Sequence, residues 1–466
     1  MRDPTCPGKP RLLVSLHPIT GEEPLNDKRE IFGWTMYDWA NSAFSTTVVT
    51  ALLGPYILAL AESSSTPLML FGFPIQPAAI FPAATSLSVL LQVFFLPLLG
   101  TIADYTNLKK RMMMTFAYIG AATTILLFTV QADMPVLGTN GAVLLASLLA
   151  IIANLCFGAA IVFYNAFLPD IASPDQRDAV SSRGFAYGYL GGGLLLLANL
   201  GLLNFMEDTG LAVRISLASA GIWWLGFTYL FPQRRLKARD AARQLPDGTT
   251  LFSHGIRQIL HTLRDLRQKY PSTLHYLIAY LIYNDGIQTV IIVSTAFAAD
   301  ELGVETSSLL LLVLIIQFVA FFGAFAFGFM AQRIGAKRSI MISLVIWSGL
   351  VIFAYAFLQN ETQLFIMGVF VAIVLGGSQA LSRSLFSQMI PADHEAEYFG
   401  FYEISERGTS WLGPLAFAAA VQITGSQRIA IVSLIIFFVI GLILLSTVNV
   451  RKAMLDSGND PEGVVL

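Results

Sequence analysis

Long apolar stretches recur along the whole chain, and they constrain its fold more than any other feature of the sequence. A helix needs about 20 mainly apolar residues to cross the roughly 30 Å hydrocarbon core of a bilayer. Only 12% of the 466 residues are charged, whereas soluble domains carry about 25%. We therefore predict twelve membrane-spanning helices, called spans one to twelve in chain order, near residues 33–60, 78–103, 112–130, 141–166, 182–205, 212–231, 274–298, 308–331, 339–358, 362–389, 399–424 and 428–449.

Several other classes of protein are excluded by composition. The net charge is only −2, so we expect a lipid bilayer and no nucleic acid as partner. Cys6 and Cys156 are the two cysteines, and they form neither a disulfide framework nor a metal-binding spacing. The polar first 30 residues hold no apolar stretch long enough for a signal-peptide core. We therefore expect span one to remain in the membrane, and we expect no cofactor and no metal.

Basic residues alternate between the predicted connections. The connections after spans two, four, six and eight are basic, whereas Arg214 and Arg428, each at a helix start, are the candidates in the odd-numbered ones. An excess of Lys and Arg marks the cytoplasmic side of a membrane. We therefore predict that both termini are cytoplasmic. The chain then divides into an N-terminal tail 1–32, a six-helix half 33–231, a linker 232–273, a second six-helix half 274–449 and a C-terminal tail 450–466.

The linker contains a helical pattern. Apolar residues recur at helical spacing, and three arginines lie off that stripe. This pattern predicts an amphipathic helix, which either lies on the inner membrane surface or packs on the protein's own loops. The apolar positions are Phe252, Ile256, Ile259, Leu260, Leu263 and Leu266, and the arginines are Arg257, Arg264 and Arg267.

A segment that follows span two recurs after span eight. The first copy runs Gly100-Thr-Ile-Ala-Asp104, and the basic triplet 109–111 follows it. The second copy runs Gly328-Phe-Met-Ala-Gln332, and the basic pair 337–338 follows it. An Arg-Gly pair also recurs, at 183–184 in span five and at 407–408 in span eleven. The repeat indicates two related six-helix halves.

Two six-helix halves with this loop after each second helix resemble the major facilitator superfamily. The resemblance implies an all-α membrane fold of twelve transmembrane helices in two halves, which transports by alternating access. It also implies a cytoplasmic latch, in which the Asp104 carboxylate pairs with a basic group or a helix N-terminus. Gln332 replaces the second acid, so we expect the second latch to be weaker or uncharged there. The implied latch or gating residues are Gly100, Asp104, Arg111, Gly328, Arg333 and Arg407.

Four further strings narrow the resemblance to one branch. They are 33–44 in span one, 283–289 in span seven, 376–384 in span ten and 399–403 in span eleven. Together they resemble the vacuole-effluxer branch, named for a fungal vacuolar exporter of amino acids. The resemblance implies a monomeric amino-acid transporter, in the cell (inner) membrane if the chain is bacterial and in a vacuolar-type membrane if it is fungal or plant. The glycine-rich string 184–192 resembles the antiporter motif, with Tyr189 in place of its proline. The resemblance implies export, and the alternative is that these small residues only let helices pack closely.

Polar side chains inside the spans are the candidate site. Burying Asp, Lys or Arg in a membrane helix costs about 2.5–3.5 kcal/mol, so such residues should face a cavity or a partner. The superfamily fold implies that spans one, four, seven and ten line a central cavity. The candidates for substrate binding or proton coupling are Asp38, Asn41, Asn165, Asn284, Asp285, Gln379, Arg383 and Glu403.

These candidates suit a small zwitterion such as an amino acid. The carboxylates would face its ammonium group and Arg383 would face its carboxylate. Asp38 and Asp285 are also candidate proton carriers, since burial favours the neutral form of a carboxyl group. Two structural alternatives remain open: Asp38 caps its own helix or binds a loop, and Arg383 forms an ion pair with Glu403.

We therefore predict a secondary transporter of a small polar solute, with amino acids favoured and proton coupling as one energy source. The sequence contains no nucleotide-binding Gly-rich loop, so ATP drive is not expected from it. A sugar or other metabolite transporter, or a receptor or lipid scramblase without solute turnover, would share the fold. An enzyme acting on lipid is not expected, because the five histidines are scattered.

Overall fold

In the computed structural model, the chain is described over residues 25–70, 73–132, 134–240, 251–408 and 412–466. Helices make up most of these residues. Two-residue strands, β1 (Met69–Leu70) and β2 (Phe73–Pro74), pair antiparallel in the connection between spans one and two.

The N-terminal half consists of six spans. Span one is one continuous helical stretch, in which a π-helical segment, Phe44–Leu52, separates α1 (Lys28–Ala43) from α2 (Leu53–Glu62). Pro97 lies inside the second span. The remaining helices of this half are α3 (Pro77–Asp104), α4 (Lys109–Leu126), which ends in a 3-10 turn, α5 (Gly138–Ala166) with α6 (Leu168–Ile171), α7 (Arg177–Phe205), and α8 (Thr209–Leu230) with α9 (Pro232–Arg235).

The C-terminal half repeats this order after a linker helix, α10 (Leu251–Gln268). Span eleven also contains a π-helical segment, Ile404–Gly408. The helices of this half are α11 (Pro271–Leu302), α12 (Thr306–Ile334), α13 (Ala336–Ala356), α14 (Glu361–Gln388), α15 (Glu395–Glu403), α16 (Leu412–Thr424), α17 (Gln427–Ser433), α18 (Ile435–Thr447) and α19 (Val450–Asp456).

Eleven of the described helical stretches are long and apolar enough to cross a membrane. Span eleven is described in two parts, on either side of residues 409–411. Adding it to these eleven stretches gives twelve spans. The outer surface is apolar, with Leu90, Phe94, Phe322 and Val345 all more than half exposed. A contiguous apolar surface of this kind fits lipid rather than water.

Glycines bring span five against span one. A Cβ atom at Gly191 would lie 2.6 Å from the Trp39 carbonyl oxygen, and one at Gly188 would lie 2.6 Å from Ser42 Oγ. Small residues allow helix backbones to approach this closely. The glycine-rich string of span five therefore allows spans one and five to pack closely within the N-terminal half.

The linker helix has two different sides. Gln258 and Thr262 donate hydrogen bonds to the buried Glu397 carboxylate at the start of span eleven, and Leu266 is 1% exposed. Leu260 and Leu263 are 67% and 52% exposed. One side of α10 thus packs on the protein's own chain, while its leucines remain uncovered. The predicted apolar positions Phe252 and Ile256 belong to residues whose side chains are not described.

Candidate functional site

A cavity of about 490 Å³ lies between the two halves. Asparagine, serine and threonine side chains from spans one, two and four line one wall: Asn41, Ser42, Ser45, Thr46, Thr50, Thr85 and Asn154. The opposite wall, from spans seven, eight and ten, is mainly aliphatic: Ile291, Leu309, Leu312, Val313, Ile316, Val371 and Leu375. The second wall is apolar only in part, because Gln288, Gln317 and Gln379 also lie on it.

An ion pair between spans one and ten closes one end of the cavity. Arg383 Nη2 lies 3.2 Å from Asp38 Oδ2, and Tyr164 Oη donates to the same oxygen at 2.6 Å. Both charged side chains are under 10% exposed. Asp27, not Asp38, is the N-cap of α1. The helix-cap alternative for Asp38 is therefore wrong, because this carboxylate joins the two halves.

Arg383 is held on every side. Its Nε donates to Ser181 Oγ at 2.9 Å, its Nη2 donates to the Ser181 carbonyl at 3.0 Å, and its Nη1 donates to Asn165 Oδ1 at 3.3 Å. The rings of Trp34 and Phe185 lie 4.7 and 4.3 Å from the guanidinium carbon. A guanidinium with this many partners is fixed in one orientation.

A second ion pair lies beside the first. Arg407 Nε is 3.0 Å from Glu403 Oε2, and Asn165 Nδ2 donates to Glu403 Oε1 at 2.9 Å. The alternative pairing of Arg383 with Glu403 is therefore wrong. Asn165 connects the two pairs because its amide also accepts from Arg383. Four charged side chains from spans one, ten and eleven thus form one network at the closed end of the cavity.

The predicted latch acid caps a helix of the other half. Asp104 is 1% exposed and accepts hydrogen bonds from the backbone N–H groups of Ala396 and Glu397, at 3.1 and 2.8 Å. These groups belong to the first turn of α15, where a negative charge is favoured. A Cβ atom at Gly100 would lie 2.2 Å from the Ala396 carbonyl oxygen, so only glycine allows this approach.

Lys109 completes the same contact. Its Nζ lies 3.1 Å from Asp170 Oδ2 at the end of span four and 3.9 Å from Glu395 Oε2 at the start of span eleven. Lys109 is only 7% exposed. We name the end of the protein that carries Asp104 and Lys109 the latch side.

The second copy of the loop packs without a charged cap. A Cβ atom at Gly328 would lie 2.6 Å from Ser182 Oγ of span five, whereas the Gln332 side chain is exposed. Arg111 and Arg333 are also exposed, and Arg333 stacks on Phe329 of its own helix at 4.1 Å. Among the described residues, neither arginine makes a contact between the halves. The structure therefore does not support their predicted role in the latch.

Comparisons with known proteins settle the family. The family model described as "Vacuole effluxer Atg22 like" matches residues 26–458. The chain belongs to this family. An uncharacterized MFS-type transporter of Bacillus subtilis, YxiO, is 32% identical over 89% of this chain and 94% of its own length. Autophagy-related protein 22-1 of Penicillium rubens is 24% identical over 92% of this chain and 91% of its own length.

Solved structures show the fold of this vacuole effluxer-like protein. The human organic anion transporter MFSD10 superposes with a TM-score of 0.65 at 13% identity, over 91% of this chain and all of the other. The transporter FucP in its outward conformation superposes with a TM-score of 0.62 at 13% identity, over 91% of this chain and 99% of the other. The predicted all-α fold of twelve spanning helices in two halves is confirmed, and the chain is a multi-pass membrane protein of the MFS transporter type.

The effluxer-like chain is closed on the latch side. Arg177 Nη1 donates to the Ser387 carbonyl at 2.7 Å, and Ser181 Oγ donates to the Ala380 carbonyl at 2.7 Å, both across the halves. In the other direction the cavity extends to Thr50, Thr85 and Leu309, which lie toward the opposite helix ends. The solute cavity therefore opens away from the latch.

Five of the residues predicted for substrate binding or proton coupling line the cavity. Gln379 accepts a hydrogen bond from Tyr189 of span five at 2.6 Å, and Asn41 Nδ2 has no hydrogen-bond partner among the described residues. Arg407, predicted as a gating residue, also lines the cavity and lies in the π-helical segment of span eleven. The five residues are Asp38, Asn41, Asn165, Gln379 and Arg383. Glu403 contacts Asn165 of this set.

Asn284 and Asp285 lie behind the wall rather than on it. Asn284 Nδ2 donates to the Glu406 carbonyl at 3.0 Å. Asp285 is 1% exposed, and neither carboxylate oxygen has a hydrogen-bond partner among the described residues. A Cβ atom at Gly413 would lie 3.1 Å from Asp285 Oδ2, so this carboxylate faces the first turn of α16. Gln288, one turn further along span seven, does line the cavity.

Several residues of the network carry no charge, and sequence reasoning missed them. Tyr164 and Ser181 hold Asp38 and Arg383, and Tyr189 holds Gln379. The tyrosines adjoin positions that the sequence singled out, namely Asn165 and the glycines of span five, but their side-chain directions depend on packing.

Proposed function

We propose that this protein moves an amino acid across the membrane by alternating access and that it exports this solute. The observation that carries the proposal is the network at the closed end of the cavity, in which Asp38 and Glu403 lie beside Arg383 and Arg407. A zwitterion needs both signs of charge within a few ångströms, and this network supplies both. The description of the family, vacuole effluxer, supports the direction of transport.

The network links solute binding to conformational change. Removing one partner of a buried ion pair costs about 3–5 kcal/mol, so the Asp38–Arg383 contact holds the latch side shut. A bound amino acid brings a carboxylate for the arginines and an ammonium group for the acids. It therefore replaces the partners that the two halves lose when they separate. The halves can then rock around a fixed site.

Asp285 is the proposed proton carrier. An ionised carboxylate is costly to bury without hydrogen bonds, and Asp285 is buried without one among the described residues. Binding a proton removes that cost. Gln288 of the same helix lines the cavity. A change in the charge of Asp285 therefore occurs close enough to the cavity to affect solute binding.

We propose that the latch side faces the cytoplasm, because its loops are basic and an excess of Lys and Arg marks that side of a membrane. With that orientation both termini are cytoplasmic, and the conformation described above is open to the outside. The proposed state is a monomer in the cell membrane of a bacterium or in a vacuolar-type membrane of a fungus or plant.

Counterflow in proteoliposomes tests the proposal. Vesicles loaded with unlabelled amino acids should accumulate labelled amino acid, while vesicles loaded with sugars should not. Accumulation driven by sugars alone would overturn the amino-acid assignment. Redistribution of labelled lipid without any solute flux would overturn transport of a solute altogether.

A further inference from the structure

The linker helix α10 leaves an apolar and basic face uncovered. Leu260 and Leu263 are each more than half exposed. Arg264 lies four residues after Leu260, and Arg267 lies four residues after Leu263. Residues four apart share a helix face, so each exposed leucine has an exposed arginine beside it.

The other side of α10 is already occupied. Thr262 and Gln258 donate to Glu397, which is fully buried, and Leu266 packs into the protein core. These contacts fix the rotation of the helix about its axis. The leucine and arginine face consequently points away from the span-eleven segment that α10 contacts.

The position of α10 places this face near a bilayer surface. Only Lys269 and Tyr270 separate its last residue, Gln268, from the spanning helix that begins at Pro271. Helix α10 also lies on the latch side, because Glu397 belongs to the turn of α15 that Asp104 caps. So close to the start of a spanning helix, an uncovered leucine face contacts either water or the boundary between lipid headgroups and acyl chains.

We propose that α10 is a docking surface for anionic membrane lipid. Leucines insert at the headgroup boundary, and the arginines Arg257, Arg264 and Arg267 contact lipid phosphates. Charge complementarity selects this occupant, because all three arginines are exposed beside the uncovered leucines. Each arginine near an anionic bilayer strengthens binding on the order of five-fold. The proposal depends only on where α10 lies, and it holds whichever solute the protein moves.

Fluorescence of the full-length chain in nanodiscs tests the proposal. An environment-sensitive dye is attached at Leu263→Cys in a Cys6→Ser, Cys156→Ala background. His261→Cys is the matched control, because His261 is exposed and lies about 160° around the helix from Leu263. We expect a blue-shifted dye, quenched by doxyl-labelled lipid, at position 263 only. The shift should grow when phosphatidylglycerol is added to phosphatidylcholine.

The triple variant Arg257→Gln, Arg264→Gln, Arg267→Gln should lose the dependence on phosphatidylglycerol while keeping the thermal unfolding midpoint of its parent. Equal, water-like spectra at positions 263 and 261 would overturn the proposal. A shift that does not respond to lipid charge, or one that follows the number of protein copies per disc, would also overturn it. The second result would assign the face to another copy of this chain. None of these readouts requires solute flux, so they are independent of the proposed amino-acid transport.

Discussion

Asp38 and Arg383 are 345 residues apart in sequence and form an ion pair between the two halves. The pair lies between the cavity and the latch side, and Tyr164, Ser181 and Asn165 complete its hydrogen bonds. Its burial means that neither charge can lose its partner without a large cost in free energy. The pair is therefore both a structural contact and the first contact that a zwitterionic solute would replace.

Arg383→Gln should destabilise the protein and abolish amino-acid flux. It leaves the Asp38 carboxylate buried without its cation, which costs about 3–5 kcal/mol. The double variant Asp38→Asn, Arg383→Gln removes both charges, so it should regain most of the stability but not the flux. Thermal unfolding and counterflow measure the two effects, with the exposed Arg333→Gln as control. A double variant no more stable than Arg383→Gln would contradict the pairing.

Asp104→Ala should shift the protein toward the conformation that is open on the latch side. The change removes the cap of α15, and loss of a helix cap costs about 0.5–2 kcal/mol. Labelling of a Ser182→Cys reporter should quicken, while affinity for the solute changes little. Gln332→Ala, at the equivalent but exposed position, is the control. Weakened solute binding with an unchanged labelling rate would count against a latch at Asp104.

Asp285→Asn should leave expression and folding intact and remove the dependence of flux on a proton gradient. The amide has nearly the shape of the acid but cannot carry a proton. Flux in proteoliposomes with and without a pH difference measures the effect. Asp300→Asn, at the exposed end of the same helix, should behave as the parent does. Gradient-driven flux that survives in Asp285→Asn would exclude Asp285 as the carrier.

Gly100→Ala should destabilise the conformation that is closed on the latch side. The added Cβ atom would meet the Ala396 carbonyl oxygen at 2.2 Å, which forces α3 away from α15. Overpacking of this kind costs about 1–3 kcal/mol. The same reporter at position 182 should label faster. Gly349→Ala is the control, because a Cβ atom there meets nothing within 4 Å; fast labelling in both variants would point to a general loss of stability.

The sequence by itself determined the membrane class, the number of spans and the correspondence of the halves. Apolar length and loop charge are local properties, and a lipid solvent leaves few alternatives to a spanning helix. The repeat around Gly100 and Gly328 needed no structure to be found, and neither did the missing acid at Gln332.

Only the tertiary structure decided which polar side chains meet. The rotation of span seven places Gln288 on the cavity wall and Asp285 behind it, although both lie within one helical turn. Arg407 of span eleven lines the cavity, and helix packing pairs Arg383 with Asp38 rather than with Glu403. Such pairings depend on the rotation and contact of whole helices, and these are set by many small side chains acting together across hundreds of residues.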